Sequence, residues 1–477
     1  MLGTIIEKEI RGHILSFRFL ATFVLLLVVV PVTVLILAND TLRRQDEFSR
    51  RQADIQEYLA HYAHFNRLQN VVAPSEPPRP FQALVRGLSD ETGLEAFDND
   101  PLPVIFPLID LTFIVTILLS LAALILSYDA FSGEREDGTL KLMLANGVAR
   151  YKIVLGKTLG GTATLGVSFV VALALGMILL LLNPRLGWKG GDSAALAVIV
   201  AASILFIGFF YGLGVLISSR HASSASSILT SLFVWVLLVL VVPNLSPYVA
   251  SLLRPAPSAI KVGREVRRLT DVERDQLGNK LSAEKRAAVI KAYPVLEGIE
   301  RLSESEVQER IRRDTAFGGA YKTYREESEG AWTEANRIQN EKRKILEDDL
   351  ERREAAQTGL SIGLSMISPM AAYSYLATDL SGTGLRSRVH FQKITEAWWL
   401  SYGNYRQKKM EEMRRGNPTL DLWNTATDVH DMPRFVYREE ALDDRLAGVL
   451  GPLGLLAGLA LAVFLAGVLV FNRADVR

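Results

Sequence analysis

The chain has 477 residues, a formal net charge of +1 and no cysteine. The missing thiols exclude disulfides, thiolate metal sites and cysteine nucleophiles, and a charge so near zero gives no support to nucleic-acid binding. A mean hydropathy of +0.19 with 22% charged residues is too apolar for a soluble protein of this size and too charged for one wholly in lipid, so the charge must be segregated along the chain.

The N-terminal segment 1–18 places Ile5, Ile6, Ile10 and Ile14 at helical spacing, with Glu7, Lys8, Glu9 and Arg11 nearby. That pattern suits an amphipathic helix lying in a membrane interface, or a plain extension of the first span. Phe19–Ala38 is the first run able to cross roughly 30 Å of hydrocarbon as a helix. It is too long for a signal-peptide core, and a charged segment precedes it. Residues 39–104 are charged and helix-like over about 41–70, then proline-rich at Pro74, Pro77, Pro78 and Pro80.

Ile105–Ser127 is the second span, and Asp110 is the one acid near its end. Residues 128–157 form a polar, glycine-punctuated loop. Thr158–Leu182 and Ala194–Ser218 are the third and fourth spans, and the small residues 223–227 extend Ile228–Val242 into a fifth, 223–242. Pro243–Arg445 is long enough for a domain with its own core. It reads as mostly helical, with a capping-box start at Ser303–Glu306 and no proline from there to Gln357. Gly318-Gly319 marks where that helix would break, and a second helix is expected over Val389–Arg415, with a stop at 416–418. Leu360–Ala377 is uncharged but holds four serines, Gly363 and Pro369. It is read as a buried ectodomain helix or a surface-lying segment, not a span. Leu446–Phe471 is the sixth span and 472–477 the tail.

Continuous apolar runs without strand alternation select helices. The fold expected is an all-α membrane protein of six transmembrane helices. Lys and Arg concentrate in the N-terminal segment, in the 128–157 loop (Arg135, Lys141, Arg150, Lys152, Lys157) and in the tail. The positive-inside rule therefore puts both termini in the cytoplasm and the large, mostly helical ectodomain outside, between helices 5 and 6.

The loop carries the chemistry. Gly133-Glu134-Arg135-Glu136-Asp137-Gly138-Thr139-Leu140-Lys141-Leu142, followed by Arg150, Ile153 and Gly156-Lys157, resembles the signature of ABC-2 type transporter permeases, and Ile6–Arg11 resembles that family's elbow helix. Ser368-Pro369, Leu380–Gly384, His390-Phe391 and Pro433-Arg434-Phe435 resemble a subset with a large DUF3526-type periplasmic region. The resemblance implies a permease subunit of the bacterial inner membrane, paired with two ABC ATPase subunits and with a second permease, either a copy or a paralogue. Gly133, Glu134, Arg135, Glu136, Gly138, Thr139 and Leu140 would then couple to the ATPase, with Glu134 and Glu136 offering carboxylates to basic groups of that partner and the leucines seating in a groove. Glu7, Lys8 and Glu9 would belong to the elbow. The 218–227 turn, SSRHASSASS, reads equally as a second ATPase contact or a plain tight turn.

Gly208 with Gly212, Gly156 with Gly160, and Gly454 with Gly458 have the GxxxG spacing of close helix contacts. These serve either a dimer seam or packing within the chain. No GxxxxGK[ST] occurs, so this chain is not the enzyme: ATP and Mg would be bound by the partner, with no cofactor and no metal held here. His221 and His390 stand alone. Three functions compete: outward export or extraction of an apolar, peptide or polymer substrate; transmission of ATPase motion to a periplasmic or cell-surface partner; and a membrane receptor or scaffold with no motor.

Overall fold

The computed structural model describes residues 2–60, 63–64, 74–87, 109–145, 148–416 and 425–473. Parts of the expected features fall outside them: 105–108 of the second span, most of the proline-flanking segment, the stop at 417–418 and the last four tail residues. Among the described residues, six helices are long and apolar enough to cross a membrane.

The chain begins with α1 (Leu2–Ile14) and α2 (Phe17–Ala60). The expected first span and the charged segment after it are one rod. At 1.5 Å per residue its 44 residues reach about 66 Å, and Pro31 lies inside it. Then come α3 (residues 111–127), α4 (Ser132–Glu136), α5 (Thr139–Ala145), α6 (Arg150–Leu181), α7 (Gly190–Arg220) and α8 (residues 224–253). Both α3 and α8 contain a π-helical stretch, Ile114–Leu119 and Val236–Val241. Asp110 caps α3, accepting from the Phe113 amide at 2.8 Å and from the Arg86 amide at 3.2 Å. It is a structural cap rather than a lone acid in lipid.

Contact clustering separates two compact units, 1–243 with 365–477, and 244–364. The second holds α9 (residues 259–292), α10 (Glu304–Arg313) and nearly all of α11 (Thr315–Ser365). Its core gathers Val289, Leu296, Ile299, Val307, Phe317 and Ala320. Ser303 and Glu306 form the expected capping box. The break comes at Asp314, not at Gly318-Gly319. The Asp314 side chain accepts from the Ala316 and Phe317 amides and starts a new helix, while the glycine pair is absorbed within its first turns.

The remainder of the expected 243–445 domain does not join that unit. The uncharged run 360–377 is cut by a turn before Ser368, and α12 (Pro369–Ser381) follows. Tyr373, Leu376, Ala377 and Leu380 of α12 belong to the same buried cluster as the spans, and α12 packs on α7 and on α14 (Leu442–Arg473). Thirteen residues reach only about 20 Å, so α12 does not cross a membrane. Its apolar side is covered by the spans, as the buried-helix reading expects. Helix α13 (Leu385–Gly416) supplies Trp398 and Tyr402 to a separate small cluster with Leu59 of α2, Val429 and Met432. The rod and this late segment are also joined by a two-residue antiparallel bridge, Ala63 to Thr427 and His64 to Ala426.

Apolar helices in lipid gain little by merely touching, so close backbone approach and hydrogen bonds hold them together. A Cβ on Gly161 of α6 would fall 1.9 Å from the Tyr211 ring of α7. A Cβ on Gly208 or Gly212 would make ordinary contacts with Thr162, or with Val463 and Thr158, so that GxxxG pair packs within the chain. Around Gly454 and Gly458 there is no heavy atom within 4 Å of such a Cβ. The Trp235 indole donates to Ser120 Oγ at 2.8 Å, Ser203 and Tyr373 hydroxyls are 2.8 Å apart, and Ser368 donates to the Leu238 carbonyl in the π stretch of α8.

Candidate coupling site

The loop between α3 and α6 is built, not slack. After α3, Ser132–Glu136 makes a single helical turn, Asp137-Gly138 reverses the chain, and Thr139 starts α5. Gly138 sits at φ +73, in the left-handed region, where a glycine costs least. Phe131 is fully buried and stacks on Phe471, centroids 4.4 Å apart.

Three consecutive charged side chains of the signature bond to the chain's own helices, Glu134 and Arg135 half-buried and Glu136 exposed. Glu134 Oε1 accepts from Lys157 Nζ at 3.0 Å and from Lys8 Nζ at 3.1 Å, and Lys157 donates again to Glu9 Oε1 at 2.9 Å. Lys157 is 2% exposed, with Glu9 and Glu134 at 11% and 15%. The buried ammonium thereby ties α1, α4 and α6 together. Arg135 donates to the carbonyls of Ser219 and His221 at 2.9 and 3.0 Å, at the C-terminal end of α7. Glu136 accepts from the Ser224 amide and hydroxyl at 2.8 and 2.7 Å, at the N-terminal end of α8. A cation on the carbonyl end and an anion on the amide end both suit the helix dipoles. The phrase Glu-Arg-Glu is thus a clamp across the α7–α8 turn and the elbow. Ser218 completes it, its hydroxyl accepting from the Phe131 and Ser132 amides, both at 3.0 Å.

Glu134 and Glu136, expected to present carboxylates to a partner, are both hydrogen-bonded within the chain, Glu134 half-buried and Glu136 exposed. The 218–227 turn is the seat on which α4 rests. Leu140 is also inward, at 1% exposure. What faces out is Glu136, Asp137, Gly138, Thr139, Lys141 and Leu142, the last 69% exposed.

The elbow is seated by small residues. Cβ atoms on Gly156 and Gly160 would come within 2.6 Å of Ile5 and 2.8 Å of Glu9, so this GxxxG pair docks α1 on α6. Glu7 pairs with Arg11 on the exposed side at 2.7 Å. Arg18 pairs with Asp129 at 2.7 Å and lies over the Tyr128 ring. Arg150 closes the far side, donating to the Phe471 and Asn472 carbonyls at 2.8 Å and so capping α14.

Sequence reasoning passed over His13. Its Nε2 is 2.7 Å from the Tyr211 hydroxyl. Burial lowers its pKa from the ordinary 6.5, against the opposing pull of Glu9. The folded state therefore favours the neutral ring. The resulting stabilisation is complete above about pH 6.5 and is lost as pH falls from there towards the lower folded value. Corrected for the intrinsic slowing of exchange with acid, the protection factors of the residue 2–14 amides are expected to fall as pH drops below about 6.5, and the His13→Gln variant to lose that dependence.

No group of three His, Asp or Glu side chains able to hold a metal ion occurs among the described residues. His221 bonds the Ile217 carbonyl and Thr230, and His390 the Arg438 carbonyl.

A bundle of six apolar helices whose inter-span loop is clamped to an elbow helix defines a class, and the comparison with known families agrees. The chain belongs to the ABC-2 family transporter proteins, matching that family over residues 3–476. It is a multi-pass membrane protein of the ABC transporter permease class, in which the ATPase is a separate subunit. It is similar to a probable ABC transporter permease protein NosY of Pseudomonas aeruginosa strain PAO1, 32% identical over 135 residues, and to one of the same name in Stutzerimonas stutzeri, 34% identical over 137. Each alignment takes in 27% of this chain and 47% and 46% of the relatives, so the chain spans about half the length of the curated relatives it matches.

Proposed function

We propose that this chain is the membrane half of an ATP-driven exporter in a bacterial inner membrane, with the 128–157 loop and both termini in the cytoplasm. Two ABC ATPase subunits bind it from that side, and a second permease, a copy or a paralogue, completes the route. Hydrolysis drives outward export or extraction of an apolar, peptide or polymer substrate. One observation carries the reading: α4 is locked to α1, α6, α7 and α8 by the Glu134–Arg135–Glu136 clamp, while the face of α5 beside it, Lys141 and Leu142, stays exposed. A push on that face reaches four helices through bonded contacts, as a coupling element requires. The uncovered Gly454 and Gly458 support a close helix contact with the second permease.

A second reading keeps the motor and drops the cargo. Helices α2 and α11, of 44 and 51 residues, run well beyond the roughly 20 needed to cross a bilayer. Such rods suit the passing of motion to a periplasmic or cell-surface partner. The chain has no cysteine, so Leu142→Cys creates a unique thiol. A bifunctional thiol–amine reagent is expected to join it to a co-expressed ABC ATPase. A folded Leu142→Cys protein that cross-links to no ATPase overturns the coupling site. Substrate-stimulated hydrolysis with flux in vesicles would select export, and hydrolysis that needs a soluble periplasmic partner would select transmission.

A further inference from the structure

The word Leu380-Ser381-Gly382-Thr383-Gly384 plays no part in coupling, yet it organises an unusual polar site within the span-bearing unit. Gly382 follows α12 at φ +70. A Cβ there would fall 1.8 Å from Arg79 Nη1 and 3.5 Å from Arg445 Nη1, so the two guanidinium groups converge on one glycine. Both arginines are more than nine-tenths buried, at 6% and 8% exposure. Arg79 bonds Glu76 at 2.6 Å and also Tyr437. Arg445 has one hydrogen bond among the described residues, to the Leu380 carbonyl at 3.0 Å, and no carboxylate. The Nε–H of each arginine is buried without a partner among the described residues.

Two buried guanidinium groups that converge on one point repel each other; among the described residues Glu76 is the one carboxylate bonded to either, Asp192 and Glu439 lie further out on the rim, and each idle N–H leaves a hydrogen bond unmade. An oxyanion removes both penalties, because a guanidinium edge matches two oxygens of a phosphate. A narrow cleft, with room for about one water between the present side chains, lies at this point, lined by Arg79, Lys189, Asp192, Ser381, Glu439 and Arg445; a larger group enters as its rim moves aside. Asp192 is occupied in capping the Lys189 amide at 2.9 Å. Lys189 is 3.9 Å from Glu439, and both side chains are well exposed and able to move aside. The cleft lies where α7 and α14 begin. The clamp lies where α7 ends, and Arg150 caps the other end of α14. The two sites are therefore at opposite ends of the spans, and the end of a span is where lipid headgroups meet a membrane protein.

We propose that this cleft binds the phosphate of an anionic amphiphile or a phosphate ester, with Arg445 as its main anchor and Arg79 and Lys189 as its second and third contacts. Gly382 is required because any side chain there would displace Arg79. The test uses the purified full-length chain in detergent with three probes: dioctanoyl phosphatidylglycerol, dioctanoylglycerol and inorganic phosphate. Binding is followed by native mass spectrometry and by ligand-dependent melting. Saturable binding of phosphatidylglycerol without dioctanoylglycerol binding, weakened at least tenfold by Arg445→Gln, is the expected result and assigns the phosphate to a lipid. Saturable binding of inorganic phosphate with the same Arg445 dependence also supports the site and assigns it to a soluble ester. If Arg445→Gln fails to fold, Lys189→Gln on the exposed rim is expected to weaken the same binding several-fold. Equal binding of dioctanoylglycerol and phosphatidylglycerol, no saturable binding of either phosphate probe, or unchanged affinity in both variants overturns the proposal.

Discussion

Replacing Lys157 by methionine is expected to destabilise the protein by about 3–5 kcal/mol, because removing one partner of a buried ionic group leaves the others uncompensated. Among the described residues, Lys157 is the only cation that reaches both Glu9 and Glu134, at 2.9 and 3.0 Å. Lys8 reaches Glu134 alone and is 59% exposed, so solvent screens that contact and it cannot take over the role. Methionine matches the stem in length, and little packing is lost. Thermal unfolding in detergent, with proteolysis of the α1 segment as a local readout, measures the effect. The triple variant Lys157→Met, Glu9→Gln, Glu134→Gln is expected to recover most of the loss, since no buried charge is then stranded. A Lys157→Met protein with an unchanged melting curve would show that water, not Lys157, neutralises the two carboxylates.

The second large effect is on assembly rather than folding. Leu142→Asp is expected to weaken ATPase binding by roughly ten- to a hundredfold, the usual result of losing an apolar anchor from an interface centre. The melting curve should not move, because Leu142 is 69% exposed. Charge reversal at Glu134 or Glu136 also releases the ATPase on this reading, but by dismantling the clamp, and it lowers the melting temperature at the same time. Measuring co-purified ATPase and melting temperature on the same samples separates the two. A Leu142→Asp protein that keeps its full complement of ATPase would place the contact elsewhere.

The spans were legible because twenty-odd apolar residues in lipid have few choices of structure. Their ends were less so: α6 begins at Arg150 and α8 continues to 253, since nothing in a hydrophobic run marks where a helix enters water. The Ser303 box was readable because its geometry is local. The break at Asp314 was missed in favour of Gly318-Gly319, as a helix interior carrying many favourable neighbours tolerates two glycines. The signature's position was legible but its direction was not. Whether Glu134 faces a partner or Lys157 depends on residues 23 and 126 positions away. The division of 243–445 between two compact units was hidden for the same reason. Serines, Gly363 and Pro369 spoke against a span over 360–377, but nothing local showed that Ser368 and Tyr373 find polar mates on α8 and α7. Arg79 and Arg445 gave no signal at all: one sits in a proline-rich stretch and the other at the edge of a span.

The wide turns in α3 and α8 have a geometric consequence. A π turn carries one residue more than its neighbours, and each residue of a helix advances about 100° around the axis. The stripe of side chains on either helix therefore changes heading partway along, so one rod shows different neighbours its upper and lower halves. The Trp235–Ser120 and Ser368–Leu238 bonds sit at that change of heading on both rods. Sliding the extra residue one turn along would swivel an entire side of the helix while its ends stayed anchored, and these two bonds are what fix the swivel in its present position.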